Sequence, residues 1–408
     1  MIKSYDVIVV GSGPGGFNVS LPLARAGLKV ALVEGNLLGG TCLNRGCIPK
    51  EGMYRIAREV LSLRRKLGTK VKPDFMKALD YVRRRVEKIR ENARFLLKRE
   101  GVEFIEGYAY MVDEQTVKVS RNRYLKGKFL VLACGSLPLE EPSVEDVLTG
   151  KLVPKGKVMV VGSGASACEL AFILSVFGFD TYLKVQDRLL KDYPVEEDIV
   201  EKLERELELC GVKITTTEVD ADIRIMATGR RPGLHRELFP FLQMDEDGYV
   251  KVDDTMRTNL PYVYAVGDVT RPMGATHALA KARVACQAIL GLETKYEPHR
   301  VPTVICSALE LAFVGKGTKG KKYIKTFNAN TKSYVNGWGG VVQLIVDEDG
   351  RLSHVTLLGV DVSEVINAVC PFIDNPLWYD RMYSMVFSHP SLCEIFTDFA
   401  QDVFLPRD

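Results

Sequence analysis

Two stretches of this chain follow one plan. Residues 7–35 read VIVVGSGPGGFNVSLPLARAGLKVALVEG, and residues 158–186 read VMVVGSGASACELAFILSVFGFDTYLKVQ. Each runs from an apolar strand through a Gly-x-Gly turn into an apolar-periodic helix. Each then meets a glycine near the helix end and enters a second apolar strand. That is a βαβ mononucleotide-binding unit, whose glycines permit a tight turn and close backbone approach to a pyrophosphate at a helix N-terminus. One Gly-x-Gly-x-x-Gly says little, but two in strand–turn–helix context predict an α/β fold with two Rossmann-like dinucleotide-binding domains.

The remaining segments complete the layout. A charged helix is predicted over 75–99, followed by short strands in VEFIEGYAYMVDEQTVKV and a longer one in KFLVLACGSLP. ADIRIMATGRRP closes the second unit, and YVYAVGD (262–268) precedes a helix from 275 to 290. After Pro298 the pattern becomes strand-rich, with a hairpin signal at DEDGR (347–351), then helical. The domains drawn from this are 1–145 and 240–297 for the first nucleotide, 146–239 for the second, and 298–408 as a separate α+β domain.

At 408 residues there is chain enough for several cores. Fifty-five basic and fifty-two acidic residues give a net charge of +3, which argues against a nucleic-acid partner. Arg64–Lys66 and Lys316–Lys322 read as solvated faces or loops. The first apolar run begins at Tyr5, which speaks against a signal peptide, and no run reaches the length of about eighteen residues a membrane span needs. The expectation is a cytoplasmic protein. Cys134, Cys168, Cys210, Cys286, Cys306 and Cys370 then read as small buried hydrophobes, and any disulfide as catalytic.

In the first unit Gly11, Gly13 and Gly16 shape the turn, and Glu34 ends the second strand where a carboxylate accepts from a ribose hydroxyl. GGTCLNRGCIPK (39–50) sets Cys42 and Cys47 five positions apart. No other cysteine or histidine lies within twenty residues on either side, so a metal site lacks ligands. In a continuous helix, Cα atoms at this spacing lie beyond the roughly 7 Å a disulfide spans. A bridge requires Leu43–Gly46 to loop. Pro49 suits the first turn of the next helix, placing Cys47 at its positive end, where a thiolate is stabilised. The residues favour a redox pair over two reduced loop cysteines.

Five histidines are candidates for the proton. His235, His299 and His354 stand in polar, loop-like contexts and read as solvated, and His277 as a helix-start residue. His389 lies in SHPSLCE, where Pro390 imposes an extended conformation and opens a helix, and Glu394 can orient the ring. Alone, that motif reads more readily as a capped helix start than as a dyad.

Taken together, GGTCLNRGCIPK, the two nucleotide units, ACGS, ATGRRP, VGD and HPSLCE resemble, in order, the flavin-dependent pyridine nucleotide–disulfide oxidoreductases, and most nearly the dihydrolipoamide dehydrogenases. The resemblance implies FAD in the first unit, a nicotinamide nucleotide in the second, and a homodimer formed through the C-terminal domain. It assigns Cys47 beside the flavin, Cys42 to exchange with a small disulfide or a lipoyl-carrier protein, and His389 with Glu394 as acid–base for the partner's site. It places Glu34, Thr41, Ala109, Ser136, Asp268 and Thr276 around FAD, with Lys50 near the flavin and paired to Glu169. Gly162, Gly164, Ala167, Gly229 and Arg230 are its nicotinamide-side positions.

There are departures from the family pattern. Pro49-Lys50-Glu51 shifts the lysine by one place, and Ala167 replaces a third glycine. The second strand of the second unit ends at Lys184, with Lys191 beyond, where NAD enzymes carry an acid. A cation there suits the 2′-phosphate of NADP(H). The chain also passes from GVKITTTEV to ADIRIMATG without the family's small β-meander. Two alternatives therefore stand beside the leading reading. One is a flavin disulfide reductase fed by another redox protein, and the other is a flavin-binding assembly or sensor protein without turnover.

Overall fold

A computed structural model describes residues 2–120, 123–234 and 236–404. The chain opens with β1 (Lys3–Val10), α1 (Pro14–Arg25) and β2 (Val30–Glu34). Two short-linked helices follow, α2 (Gly40–Arg45) and α3 (Cys47–Leu67), then α4 (Phe75–Arg99). Strands β3 (Glu103–Glu106), β4 (Ala109–Met111) and β5 (Thr116–Val119) lead to β6 (Arg123–Leu132), β7 (Ser136–Pro138) and helix α5 (Val144–Leu148). The second glycine unit forms β8 (Lys157–Val161), α6 (Ala165–Val176) and β9 (Asp180–Lys184). Next come α7 (Glu197–Leu209), β10 (Lys213–Thr215) and β11 (Ile223–Met226), then β12 (Arg230–Pro232), β13 (Val263–Ala265) and α8 (Ala275–Ile289). The last part holds β14 (Thr303–Cys306), β15 (Glu310–Gly315), β16 (Lys321–Thr326), α9 (Thr331–Val335), β17 (Gly340–Val346) and β18 (Leu352–Gly359). Helices α10 (Val362–Val365), α11 (Trp378–Ser384) and α12 (Glu394–Phe404) follow.

These elements form two compact units. The first gathers Met1–Met53, Met76–Val153 and Thr228–Pro298. Its sheet runs β3-β2-β1-β6-β5-β4, with β13 also on β6. The β3-β2-β1-β6 pairs and β6–β13 are parallel, whereas β4–β5 and β5–β6 are antiparallel. Val7 to Val10 are all at most 8% exposed, the unbroken apolar run of a strand covered on both faces. A separate ribbon pairs β12 with β7 and draws Arg230 against Ser136–Pro138.

The second unit gathers Tyr54–Phe75, Pro154–Ala227 and His299–Asp408. It holds a parallel sheet, β10-β9-β8-β11, and an antiparallel one, β14-β15-β18-β17-β16. Trp378, Phe396 and Phe399 pack with Leu344 and Leu357 of the antiparallel sheet. The expected hairpin joins β17 to β18. Asp347 accepts there from the amides of Asp349 and Arg351, and Gly350 takes φ +76.

Several sequence expectations need correction. Leu43–Arg45 is helical rather than looped, and the break between α2 and α3 falls at Gly46. Pro390 does not open a helix, since α12 begins at Glu394. His354 is fully buried in β18, stacked on Phe313 and bonded to Thr356, because its strand lies inside the sheet. His299 is bound by Asp374 at 2.6 Å. Cys134, Cys210 and Cys370 are only partly buried. His235 lies outside the described residues.

Candidate active site

The β1–α1 turn divides its glycines into two kinds. A Cβ on Gly11 (φ +101) would stand 2.2 Å from the Ala133 carbonyl oxygen, and one on Gly16 would stand 1.8 Å from the Gly11 carbonyl oxygen. The chain itself requires both. A Cβ on Gly13 would meet nothing within 4 Å, so this glycine leaves free space before the N-terminus of α1. That terminus has no side-chain cap and no acid in its first turn. Its amides remain available to an anion. Glu34, at the end of β2, accepts from the Ser12 amide (2.8 Å), the Ser12 hydroxyl (2.6 Å) and the Asn36 amide (2.8 Å). The carboxylate is thereby held beside the turn.

The cysteines stand at a broken helix next to that turn. A Cβ on Gly40 would come within 2.9 Å of the Gly13 Cα, which seats the start of α2 against the glycine loop. Cys42 lies in α2 and Cys47 opens α3, with Gly46 between the helices. Both are free thiols, Cys42 partly buried and Cys47 exposed. They are hydrogen-bonded to each other. That bond, then burial and the charge of Cys47, push the Cys42 thiol far above its ordinary range, with Asp268 adding a smaller push.

A polar chain runs from α2 to Asp268. Arg45 donates to the Thr41 hydroxyl at 3.3 Å and pairs with Glu145 at 2.8 Å. Glu145 also pairs with Arg230 at 2.7 Å, and Arg230 donates to the Ser136 hydroxyl at 2.7 Å and carbonyl at 2.9 Å. The Ser136 hydroxyl donates to Asp268 at 2.8 Å, whose other oxygen accepts from the Gly274 amide. Ser136, Asp268 and Arg230 were expected at a cofactor, but Arg45 and Glu145 were not. Their meeting depends on the β7–β12 ribbon, a pairing across more than ninety residues with no local signal.

Gly274 caps α8, placing Thr276 and His277 in its first turn. Beneath them lies Lys281, fully buried, which no sequence motif marks. Its ammonium donates to the Thr270 hydroxyl (2.8 Å) and to the carbonyls of Pro272 (2.7 Å), Thr270 (3.2 Å) and Gly267 (3.3 Å). Burial brings its pKa down to about 7, with Asp268 opposing. Burial first, and Lys281 second, push His277 down to about 4. His277 Nδ1 lies 2.7 Å from the Tyr296 hydroxyl.

In the second unit His389 is exposed, and its Nδ1 lies 2.8 Å from Glu394 Oε1. The Ser391 amide and His389 together hold the Glu394 carboxyl below the usual carboxylate range. Glu169 is buried and accepts from the Cys306 amide at 3.0 Å. Lys50 lies in the first turn of α3, in the other unit. A Cβ on Gly162 (φ +149) would stand 2.3 Å from the Ala227 carbonyl oxygen, while Gly164 is open except for the Tyr193 hydroxyl at 3.9 Å. Ala167 is buried in α6. Lys184 is ion-paired with Glu218, which also meets Arg224 at 3.3 Å, and Lys191 is exposed. Ala109 starts β4, and Gly229 (φ +128) accepts from the Leu139 amide.

The chain is similar to known proteins over nearly its whole length. A family model described as pyridine nucleotide-disulphide oxidoreductase matches residues 5–219 and 215–282, and the chain belongs to that family. It is 29% identical to the dihydrolipoyl dehydrogenase of Bacillus subtilis, over 97% of this chain and 96% of the relative. The enzyme of the same name from Geobacillus stearothermophilus is also 29% identical, over 97% and 95%. Among solved structures, the Cu(II) complex of the HOCl-induced flavoprotein disulfide reductase RclA from Escherichia coli matches with a TM-score of 0.85 at 25% identity. That match covers 99% of this chain and 100% of the other. The family is one of flavoprotein oxidoreductases and implies FAD and a nicotinamide cofactor. The residues here fit FAD. The open space at Gly13, the uncapped amides of α1 and the oriented Glu34 carboxylate suit a pyrophosphate and a ribose.

Proposed function

We propose that the chain is an FAD-dependent disulfide oxidoreductase of the dihydrolipoamide dehydrogenase type. It passes electrons between a nicotinamide nucleotide and a dithiol/disulfide substrate, a lipoyl group on a carrier protein, through Cys42 and Cys47. The observation that carries this is the thiol pair itself, hydrogen-bonded across a helix break and seated beside the glycine turn. Bound FAD would supply the two-electron relay between the pair and the nicotinamide. When a substrate dithiol is oxidised, one substrate sulfur attacks the Cys42–Cys47 disulfide at Cys42 and the second displaces Cys42. The substrate leaves as a disulfide, and the pair retains two electrons.

Each exchange moves a proton, and Cys42 binds its own tightly, so the step needs a base. His389, oriented by Glu394, fits that role, acting on the pair of a second copy in a homodimer. In this reading residues 1–145 and 240–297 hold FAD through Gly11, Gly13, Gly16, Glu34, Thr41, Ala109, Ser136, Asp268 and Thr276. Residues 146–239 hold the nicotinamide nucleotide at the Gly162–Ala167 turn, and 298–408 form the dimer. Lys50 lies near the flavin. The polar chain keeps Asp268 and α2 in one register.

NADP(H) is the preferred nucleotide in this reading, with Lys184 and Lys191 meeting the 2′-phosphate. The Lys184–Glu218 pair makes that contact a competition, since a phosphate must displace a carboxylate already in place. The same pair favours a second reading, in which another redox protein feeds the flavin. Anaerobic titration of the holoprotein with NADPH and NADH, read by flavin bleaching, separates these. NADPH should bleach at lower concentration than NADH, Glu218→Gln should widen the gap, and Lys184→Glu should reverse it. No bleaching by either nucleotide, with a reducible disulfide present, assigns the electrons to a protein partner.

A further inference from the structure

The second unit contains a cavity of about 660 Å³ that the proposed reaction does not use. Its walls come from the C-terminal half of α3, the end of α7 and the glycine-rich turn Asn336–Val341 that enters β17. Arg58, Arg65, Lys66, Lys202 and Arg205 line it, against a single lining carboxylate, Glu206. Glu206 is held by Arg65 at 3.1 Å, Lys202 meets Asp198 at 3.1 Å, and Arg205 faces Glu201 at 3.6 Å. Two cations remain. Arg58 donates to the Ala308 carbonyl at 2.7 Å and Lys66 to the Asn336 side-chain oxygen at 3.3 Å. Neither forms an ion pair with a carboxylate among the described residues.

A solvated basic face would be convex, with its charges spread into water. This one is concave and has an aromatic wall. The Trp338 indole is partly exposed, with the Lys66 ammonium 5.6 Å from its ring centroid, and Leu61, Leu209 and Leu309 add apolar surface. Cations gathered over a low-dielectric wall raise the local potential, and an indole face receives a planar ring. The volume is that of an ordinary small-molecule site.

We propose that this cavity is a second ligand site, taking a small anion built on a planar ring. The ring stacks on Trp338, and its phosphate or carboxylate is met by Arg58 and Lys66.

The chain's two tryptophans make the test direct. Trp378 is 1% exposed in the core, so quenching of indole fluorescence by an added ligand reports Trp338. The holoprotein is titrated with AMP and with benzoate, which separate a phosphate from a carboxylate. Adenosine supplies a ring without charge, and pyrophosphate supplies charge without a ring. AMP or benzoate should quench and saturate, and the two half-probes should bind at least about tenfold more weakly, the scale of one lost charge-assisted contact. Lys66→Glu, at an exposed position, should weaken the anion about tenfold or more and leave the nicotinamide response of the flavin unchanged. Arg58→Gln should do the same with a smaller loss. Absence of saturable quenching by both anions overturns the proposal. So does undiminished affinity in Lys66→Glu, because the anion is then bound elsewhere.

Discussion

Cys42 keeps its proton because four influences disfavour its charge: the bond to Cys47, partial burial, the charge of Cys47 and, more weakly, Asp268. Removing the largest of these should show directly. In the reduced protein, Cys47→Ala should move the pH midpoint for alkylation of Cys42 by iodoacetamide downward. Labelling at pH 7 should then run about tenfold faster for each pH unit by which the midpoint falls. Mass spectrometry of the labelled peptide gives the rates, and an unchanged midpoint would show that burial alone sets the value. In the proposed mechanism His389 is the other residue on which the chemistry turns. His389→Gln should slow dithiol oxidation by at least about 10²-fold, the scale of a lost general base, with flavin content and melting temperature unchanged. Since Ser391 and His389 keep Glu394 ionised, Glu394→Gln should fall between His389→Gln and wild type.

The β1–α1 turn makes a prediction that separates folding from binding. Gly11→Ala and Gly16→Ala drive a methyl into backbone oxygen at about 2 Å, so both should destabilise the apoprotein by several kcal/mol. Gly13→Ala meets no protein atom within 4 Å. Its apoprotein should melt within a degree or two of wild type, while FAD affinity falls, because only a bound pyrophosphate can feel the methyl. Apoprotein melting and FAD titration, run in parallel, check both halves. A Gly13→Ala apoprotein that melts like Gly11→Ala would remove the distinction. The turn was legible in the sequence because its constraints are local: glycine, strand and helix are adjacent in the chain. The Cys42–Cys47 spacing was legible for the same reason. Its conformation was misread, because Gly46 alone interrupts what Leu43–Arg45 continue as helix. Arg45, Glu145 and Lys281 were invisible, since each owes its place to residues brought together by strand pairing or, for Lys281, by the packing of the Gly267–Pro272 segment on the buried face of α8.

At the scale of the whole molecule, acid should unfold the chain in a way that buried histidines control. Burial pushes His354 from 6.5 to about 4. The unfolded chain therefore takes up the proton first. Stability is intact above about 6.5 and is lost as pH falls from there toward 4, by about 3 kcal/mol for a change of this size. His277, pushed to about 4 in the first unit, acts in the same direction. Urea unfolding at pH 7.5 and pH 4.5 should show the loss, and His354→Leu should flatten it, whatever its effect on stability at pH 7.5. Equal pH dependence in the two proteins would mean that carboxylates dominate instead. His354 read as a solvated loop residue from its polar neighbours, since nothing local marks β18 as an inner strand.

The run from Thr41 through Arg45, Glu145, Arg230 and Ser136 to Asp268 alternates in sign along most of its length. Glu145 is only 12% exposed and serves two arginines, so its loss alone would strand a charge on either side. Such a chain drifts through evolution as a set. Lineages that lose Glu145 should have exchanged Arg45 or Arg230 as well, and a library that varies Glu145 alone would find that step downhill while the concerted replacement survives.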